Sequence, residues 1–197
     1  MKYAKAYDRD TALSAALNLF WTKGYHATSI KDLEDALKMR SGSIYAAFKS
    51  KENLYALALK MYFDSSQLAF ERDVLNAPSP LAGLVDMIRR IGQSGDALQR
   101  PCMLIKAVIT ATDDTAETAA LARDYRRKMD SNMVLGFQRA KELGELGAET
   151  DVHALAQQYQ SDVTHLQISA QMQPDPGALL ETVEAVAARY EARKAAE

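Results

Sequence analysis

The chain has 197 residues, of which 48% are hydrophobic and 25% charged. That balance is ordinary for a folded globular protein and excludes a disordered or low-complexity chain. The net charge of −2 hides an asymmetry: residues 1–62 carry ten Lys/Arg against six Asp/Glu, a net +4, and the remainder carries fourteen against twenty, a net −6. A basic front end on an acidic body points to a polyanionic partner for the front end alone, although composition noise also produces differences of this size. Apolar runs such as residues 185–188 are far too short to cross a bilayer, so no membrane partner is expected. The opening MKYAKAYDRD has two lysines and no apolar stretch after them, so it is not expected to be a signal peptide. Cys102 is the single cysteine; an internal disulfide is impossible, which fits a reducing cytoplasm.

Apolar residues recur with the 3.6-residue period throughout, and neither sustained two-residue alternation nor an Asn-Gly or Asp-Gly hairpin turn is present. The expected fold is all-α, with about nine helices at 9–24, 29–37, 42–48, 51–75, 80–96, 102–112, 115–144, 151–172 and 176–194. Gly24 suits the residue after a helix. Pro78-Ser79-Pro80 separates the fourth helix from the fifth, Gly95-Asp96 and Pro101 bracket the next gap, Gly144 and Gly147 stop the long seventh helix, and Pro174 and Pro176 divide the last two. The second and third helices are too short to stand alone, so they must dock on the first, whose Leu13, Ala16, Leu17 and Phe20 share a face.

Residues 28–48 carry the strongest functional signal. Thr28 or Ser29 suits the N-cap of the second helix, and Ser29 with Asp32 has the spacing of a capping box. Lys38-Met39-Arg40 form a short turn, and Ser41 is expected to cap the third helix. At about 100° per residue, Ile44 and Phe48, with Ala47 close by, share the inner side of that helix. Gly42, Ser43, Tyr45 and Ala46 form the outer side. Glycine and alanine let a backbone approach base edges, and the hydroxyls of Ser43 and Tyr45 can meet bases or phosphates in a major groove about 12 Å wide. Cations surround this face: Arg40, Lys49 and Lys51, with Lys2, Lys5 and Arg9 in the N-terminal arm. Lys51 follows Ser50 at a helix start, where phosphate is attracted. The plainer reading of the same pattern is a helical hairpin with a solvated basic rim.

Gly24-Tyr25-x-x-Thr28-Ser29-Ile30, followed by Ser43-Ile44-Tyr45-x-x-Phe48-x-Ser50-Lys51-Glu52-x-Leu54, resembles the DNA-binding module of the TetR/AcrR family of one-component repressors over about residues 8–57. The resemblance implies an N-terminal three-helix helix-turn-helix domain (1–50) and a C-terminal ligand-sensing and dimerisation domain (51–197), with the fourth helix as the lever between them. It implies a homodimeric repressor of palindromic double-stranded operator DNA, released by a small-molecule inducer. The DNA-binding set expected from residues and resemblance together is Thr28, Ser29, Arg40, Ser41, Gly42, Ser43, Tyr45, Ala46, Lys49 and Lys51. Ser29, Tyr45 and Lys51 would touch phosphates, and Arg40–Ala46 would face bases. Two positions depart from the family pattern: Lys38 stands where the turn glycine is common, and Ser41 where lysine is frequent.

In the body, Leu155, Tyr159, Val163 and Leu166 on the eighth helix, with Leu179, Val183, Val186 and Tyr190 on the ninth, form apolar faces suited to a dimer interface or to the core of one chain. Phe63, Phe70, Met87, Ile91, Cys102, Met103, Tyr125, Met129, Met133 and Phe137 lie on the helices that the resemblance makes a ligand pocket; a set of this kind also suits plain core. Cys102 has two readings. Pro101 would start the sixth helix and put the thiol in its first turn, with Lys106 one turn on, an environment that favours thiolate. The segment Pro101-Cys-Met-Leu-Ile also resembles a subgroup of the family in which this cysteine senses electrophiles or oxidants. The other reading is a buried structural thiol. His26, His153 and His165 are widely separated, and neither a metal nor a cofactor is expected. An enzyme is disfavoured, since no glycine-rich phosphate loop, G-x-S-x-G elbow or H-E-x-x-H motif occurs. A helical protein-binding scaffold is the alternative to DNA binding.

Overall fold

Helix starts follow the capping chemistry written in the chain. In the structure, a computed structural model that describes residues 8–93, 99–172 and 175–194, α1 (Arg9–Lys23) begins behind Asp8, whose carboxylate accepts the Asp10 N–H at 3.1 Å. It ends at Gly24, whose φ of 86° suits glycine. α2 (Ile30–Leu37), α3 (Ser41–Phe48) and α4 (Lys51–Phe70) follow, and α4 runs on into a π-helical turn, Glu71–Leu75. α5 (Pro80–Ile91) and α9 (Pro176–Glu191) each start on a proline behind a capping side chain: Ser79 Oγ accepts the Ala82 N–H at 3.1 Å, and Asp175 Oδ1 accepts the Gly177 N–H at 2.9 Å. Between them lie α6 (Met103–Ile109), α7 (Ala116–Glu142) and α8 (Val152–Met172). Among the described residues there is no strand, only one isolated bridge between Leu146 and Lys194.

The sixth helix is shorter than its apolar pattern predicts. The Thr110 hydroxyl turns back to the Lys106 carbonyl at 2.8 Å, and Thr112 and Thr115 cap each other around a 3-10 turn, Asp113–Thr115. Cys102 precedes α6 instead of lying in its first turn. Lys2, Lys5, Gly95, Asp96, Pro174 and the last part of helix 80–96 lie outside the described residues.

The chain divides into two compact units, Met1–Ser65 with Met103–Tyr125, and Ser66–Cys102 with Arg126–Glu197. In the first, α2 and α3 have eight residues each, too few to persist alone. They bury Leu33, Leu37, Ile44 and Phe48 in a unit whose core also takes Leu13, Ala16 and Phe20 of α1 and Leu54, Tyr55, Ala58 and Leu59 of α4. The Phe20 and Tyr55 rings meet edge to face at 5.0 Å.

In the second unit, helices close on the π turn through glycines. A Cβ on Gly83 would lie 2.0 Å from the Asp73 carbonyl oxygen, and one on Gly136 would lie 3.0 Å from the Phe70 ring. Tyr159, fully buried between Phe137 and Tyr190, donates its hydroxyl to the Leu84 carbonyl at 2.7 Å. Arg89 on α5 pairs with Glu184 at 3.1 Å and Glu191 at 2.8 Å on α9.

This core takes up most of the side chains of the expected dimer face. Leu155, Tyr159, Leu166, Leu179, Val183, Val186 and Tyr190 are buried within the single chain, and Val163 packs against the same cluster. Most of the apolar periodicity of α8 and α9 is thus satisfied inside one chain, while Val163 stays half-buried.

The glycine contact gives a direct test. Gly83→Ala forces a carbon against a backbone oxygen that has nowhere to go, and is expected to cost about 3 kcal/mol, read as a fall in the urea midpoint. Gly42→Ala, with nothing within 4 Å of the added carbon, is expected to leave the midpoint no lower.

Candidate nucleic-acid interface

The turn from α1 to α2 is built by Thr28 and Ser29 in different ways. Thr28 is buried, at 1% exposure, and donates its hydroxyl to the Gly24 carbonyl at 2.6 Å. It braces the turn from inside and is not available to DNA, which corrects its place in the expected contact set. Ser29 is the exposed N-cap: Asp32 N–H donates to Ser29 Oγ at 3.1 Å, and Ser29 N–H donates to Asp32 Oδ2 at 2.7 Å. Asp32 also pairs with Lys23 at 2.6 Å. The Lys23 hydrogen bond, then those from Ser29, hold the Asp32 carboxyl well below the usual carboxylate range.

The turn from α2 to α3 is made by Lys38, which takes the left-handed conformation itself, with φ 55° and ψ 37°. Ser41 does not cap α3. Arg40 occupies the N-cap position without a side-chain bond, Ser41 is the first helical residue, and its N–H donates to Glu34 Oε1 at 2.7 Å. Glu34 of α2 therefore supplies the acceptor that Ser41 was expected to provide, and its negative charge at a helix N-terminus is favourable.

With Ile44 and Phe48 buried and Ala47 half-buried, α3 turns Gly42, Ser43, Tyr45 and Ala46 outward. Tyr45 is 45% exposed, which is unusual for so large an aromatic and leaves its ring and hydroxyl available. Exposed Arg40 and Lys49 stand at the two ends of the helix. Lys49 has φ 68° and ψ −56°, and the Ser50 N–H reaches the Phe48 carbonyl across it at 2.8 Å, so the chain reverses within one residue. Asn53 donates to the same carbonyl at 2.9 Å, and Ser50 Oγ accepts the Asn53 N–H at 3.0 Å as α4 begins. Arg9 places its guanidinium 5.5 Å from the centre of the Phe48 ring.

Lys51 sits over the Tyr25 ring, its ammonium 4.3 Å from the centroid. Burial lowers its pKa, and the carboxylates of Asp114 and Asp32 act in the opposite direction. Tyr25 packs in turn on Tyr55 at 5.0 Å, and burial pushes the Tyr55 phenol up to about 12. Tyr25 as the platform for Lys51, Glu34 as the cap of α3 and Asn53 as the lock on its end all escaped the sequence reading. A capping carboxylate seven residues upstream of its target has no periodic signature.

The residues expected to line a ligand pocket divide between the two units. Phe63 and Tyr125 stack at 4.6 Å in the first, which also holds buried Met103. Phe70, Ile91, Cys102, Met133 and Phe137 are buried in the second, with Met87 and Met129 half-buried there. Lys106, expected to act on Cys102, instead donates to the carbonyls of Trp21 at 2.9 Å and Thr22 at 3.4 Å. Among the described residues no three His, Cys, Asp or Glu side chains are grouped to hold a metal ion, and no helix is long and apolar enough to cross a membrane.

A short helix with a small, hydroxyl-bearing outer face, cations at its ends and a capped helix packed behind it defines a helix-turn-helix DNA-binding regulator. Residues 12–58 match the family model "Bacterial regulatory proteins, tetR family". An HTH-type transcriptional regulator of Bacillus subtilis, YezE, is 32% identical over 160 residues, covering 77% of this chain and 80% of that protein. The HTH-type transcriptional repressor ComR of Escherichia coli is 28% identical over 169 residues, covering 84% and 80%. Among solved structures, a cysteine mutant of the TetR family regulator CifR, complexed with a 26 bp double-strand operator DNA, superposes with a TM-score of 0.80 at 28% identity, over 94% of this chain and 98% of that one. The chain belongs to the TetR family of transcriptional regulators.

Lys38 holds a backbone conformation that costs a residue with a side chain about 1 kcal/mol. Lys38→Gly is expected to return about that amount, read as a higher thermal midpoint with an unchanged circular dichroism spectrum.

Proposed function

We propose that this protein is a cytoplasmic repressor that binds a palindromic operator as a homodimer, placing α3 of each copy in a major groove, and leaves the DNA when a small-molecule inducer binds the C-terminal part. The observation that carries the reading is the exposure of Gly42, Ser43, Tyr45 and Ala46 between Arg40 and Lys49 while Ile44 and Phe48 lie inside. Gly42 and Ala46 permit close approach to base edges, and Ser43 and Tyr45 offer hydroxyls. Ser29, Tyr45 and Lys51 are the phosphate contacts, Lys51 from its seat on the Tyr25 ring at the start of α4. The operator complex of CifR supports this docking.

Two-fold symmetry matches half-sites about 34 Å apart. With the earlier apolar set taken up by the core, the dimer face we propose is what α8 and α9 leave outside: Ile168, Met172 and Leu180, at 49%, 76% and 47% exposure, with exposed Ala185 and Ala188. Ile168→Glu with Leu180→Glu is expected to give folded monomers that bind the operator weakly; a double variant that sediments as the wild type does overturns this face.

The inducer site is proposed within the second unit, where half-buried Met87 and Met129 accompany buried Phe70, Ile91, Met133 and Phe137. Such a lining suits an apolar small molecule and adapts through its methionines. Cys102, at 6% exposure, supports a packing role in preference to capture of an electrophile or oxidant.

The experiment is selection of duplex fragments from the source genome, followed by gel shift at two salt concentrations. Tyr45→Ala and Lys51→Ala are each expected to weaken binding to the selected duplex without loss of fold. Lys51→Ala should weaken all sequences about equally and reduce the salt slope by about one. Failure to retain any duplex, or full affinity in both variants, refutes the reading.

A further inference from the structure

Helix α1 ends with carbonyl oxygens that no helical N–H reaches. The Gly24 N–H takes the Phe20 carbonyl at 2.8 Å, and the one cation in the last turn of α1, Lys23, is turned to Asp32. The carbonyls of Trp21 and Thr22 are taken up from a distant part of the chain, by Lys106 of α6. The stem of Lys106 crosses the turn after α1, its Cε 3.8 Å from where a Cβ on Gly24 would stand. Next to it, His26 Nε2 lies 3.0 Å from the Thr110 carbonyl and 3.3 Å from the Thr112 hydroxyl. The loop that leads into Ser29 is thus held from inside by Thr28 and from outside by the segment from Lys106 to Thr112.

We infer that Lys106 is a positioning residue for operator binding: its ammonium caps the C-terminus of α1 and so sets the place of the 24–29 turn that presents Ser29 and the start of α2. The inference rests on the repressor reading above, and it gives Lys106 a role without any contact with DNA. A lysine on the last carbonyls of a helix also faces the negative end of the helix dipole, so the charge and the hydrogen bonds act together. Removing the ammonium returns two carbonyls to water and frees the turn on the side that α6 covers. Keeping a donor of the same charge keeps the cap.

The test compares Lys106→Met, which retains the apolar stem, with Lys106→Arg, which restores a cationic donor, using the duplex recovered by selection against the wild-type protein. Lys106→Met is expected to bind on the order of tenfold more weakly, about 1.4 kcal/mol. Its salt slope should be unchanged, because no phosphate contact is lost. Amide exchange over residues 24–29 should speed up while exchange in α8 stays as it was. Lys106→Arg should recover most of the affinity and of the protection. A merely structural lysine would lower global stability and leave the affinity of the folded fraction alone; that result overturns the inference. So does an affinity loss accompanied by a slope smaller by about one, which would make Lys106 a direct phosphate contact. Should Lys106→Met fold poorly, Lys106→Gln with the same exchange and affinity measurements decides. If the wild type retains no duplex, the repressor reading fails by itself, and unchanged exchange over 24–29 in Lys106→Met would still refute the positioning role.

Discussion

Everything the N-terminal part presents to solvent depends on satisfying the ends of two very short helices. An eight-residue helix leaves half of its backbone groups outside the regular hydrogen-bond ladder, so α2 and α3 depend on other groups to take those ends up. Ser29 and Asp32 close the start of α2, Glu34 reaches across to the start of α3, and Asn53 holds its last carbonyl. Burial of Leu33, Leu37, Ile44 and Phe48 then holds both helices in the core to which α1 and α4 also contribute. The outer face of α3 has no part in this work, which is why it is free to be small, polar and functional.

The cations around that face are held in different ways. Arg40 and Lys49 are exposed and flank α3 at points where the backbone turns. Lys51 is already partly desolvated on the Tyr25 ring, with Asp114 and Asp32 near enough to favour its charge. A cation that rests on an aromatic ring has less freedom to lose on meeting a phosphate than one waving in water. Its place also ties the interface to Asp114, well outside the helix-turn-helix, as Lys106 and Thr110 are tied to it through the same turn after α1.

The second unit is organised by close backbone approach. Gly83 and Gly136 let α5 and α7 close on the π turn at the end of α4, and the aromatic cluster of Phe137, Tyr159 and Tyr190 fills the space beyond. Each tyrosine hydroxyl in that cluster has a partner, Leu84 O for Tyr159 and Asp162 for Tyr190, so the burial leaves no orphaned donor.

Most of the helices and the two sides of α3 were legible in the sequence, because helical periodicity and capping are local: Gly24, Ser29, Pro80 and Pro176 mark their positions whatever surrounds them. Partners were not legible. The apolar faces of α8 and α9 announce burial but not against what, and tertiary packing assigns Tyr159, Val183 and Tyr190 to the core of one chain. Thr28 and Ser29 are neighbours of similar chemistry, and only the path of the turn puts one hydroxyl inside on Gly24 and the other outside. Lys106 lies one turn beyond Cys102 along the chain, which suggested a local role, yet its ammonium lies on α1 more than eighty residues away in sequence. Local periods determine which residues face in or out; which distant group each one meets is decided only when the helices pack, because a long side chain goes to whichever unsatisfied backbone groups the fold brings within its reach.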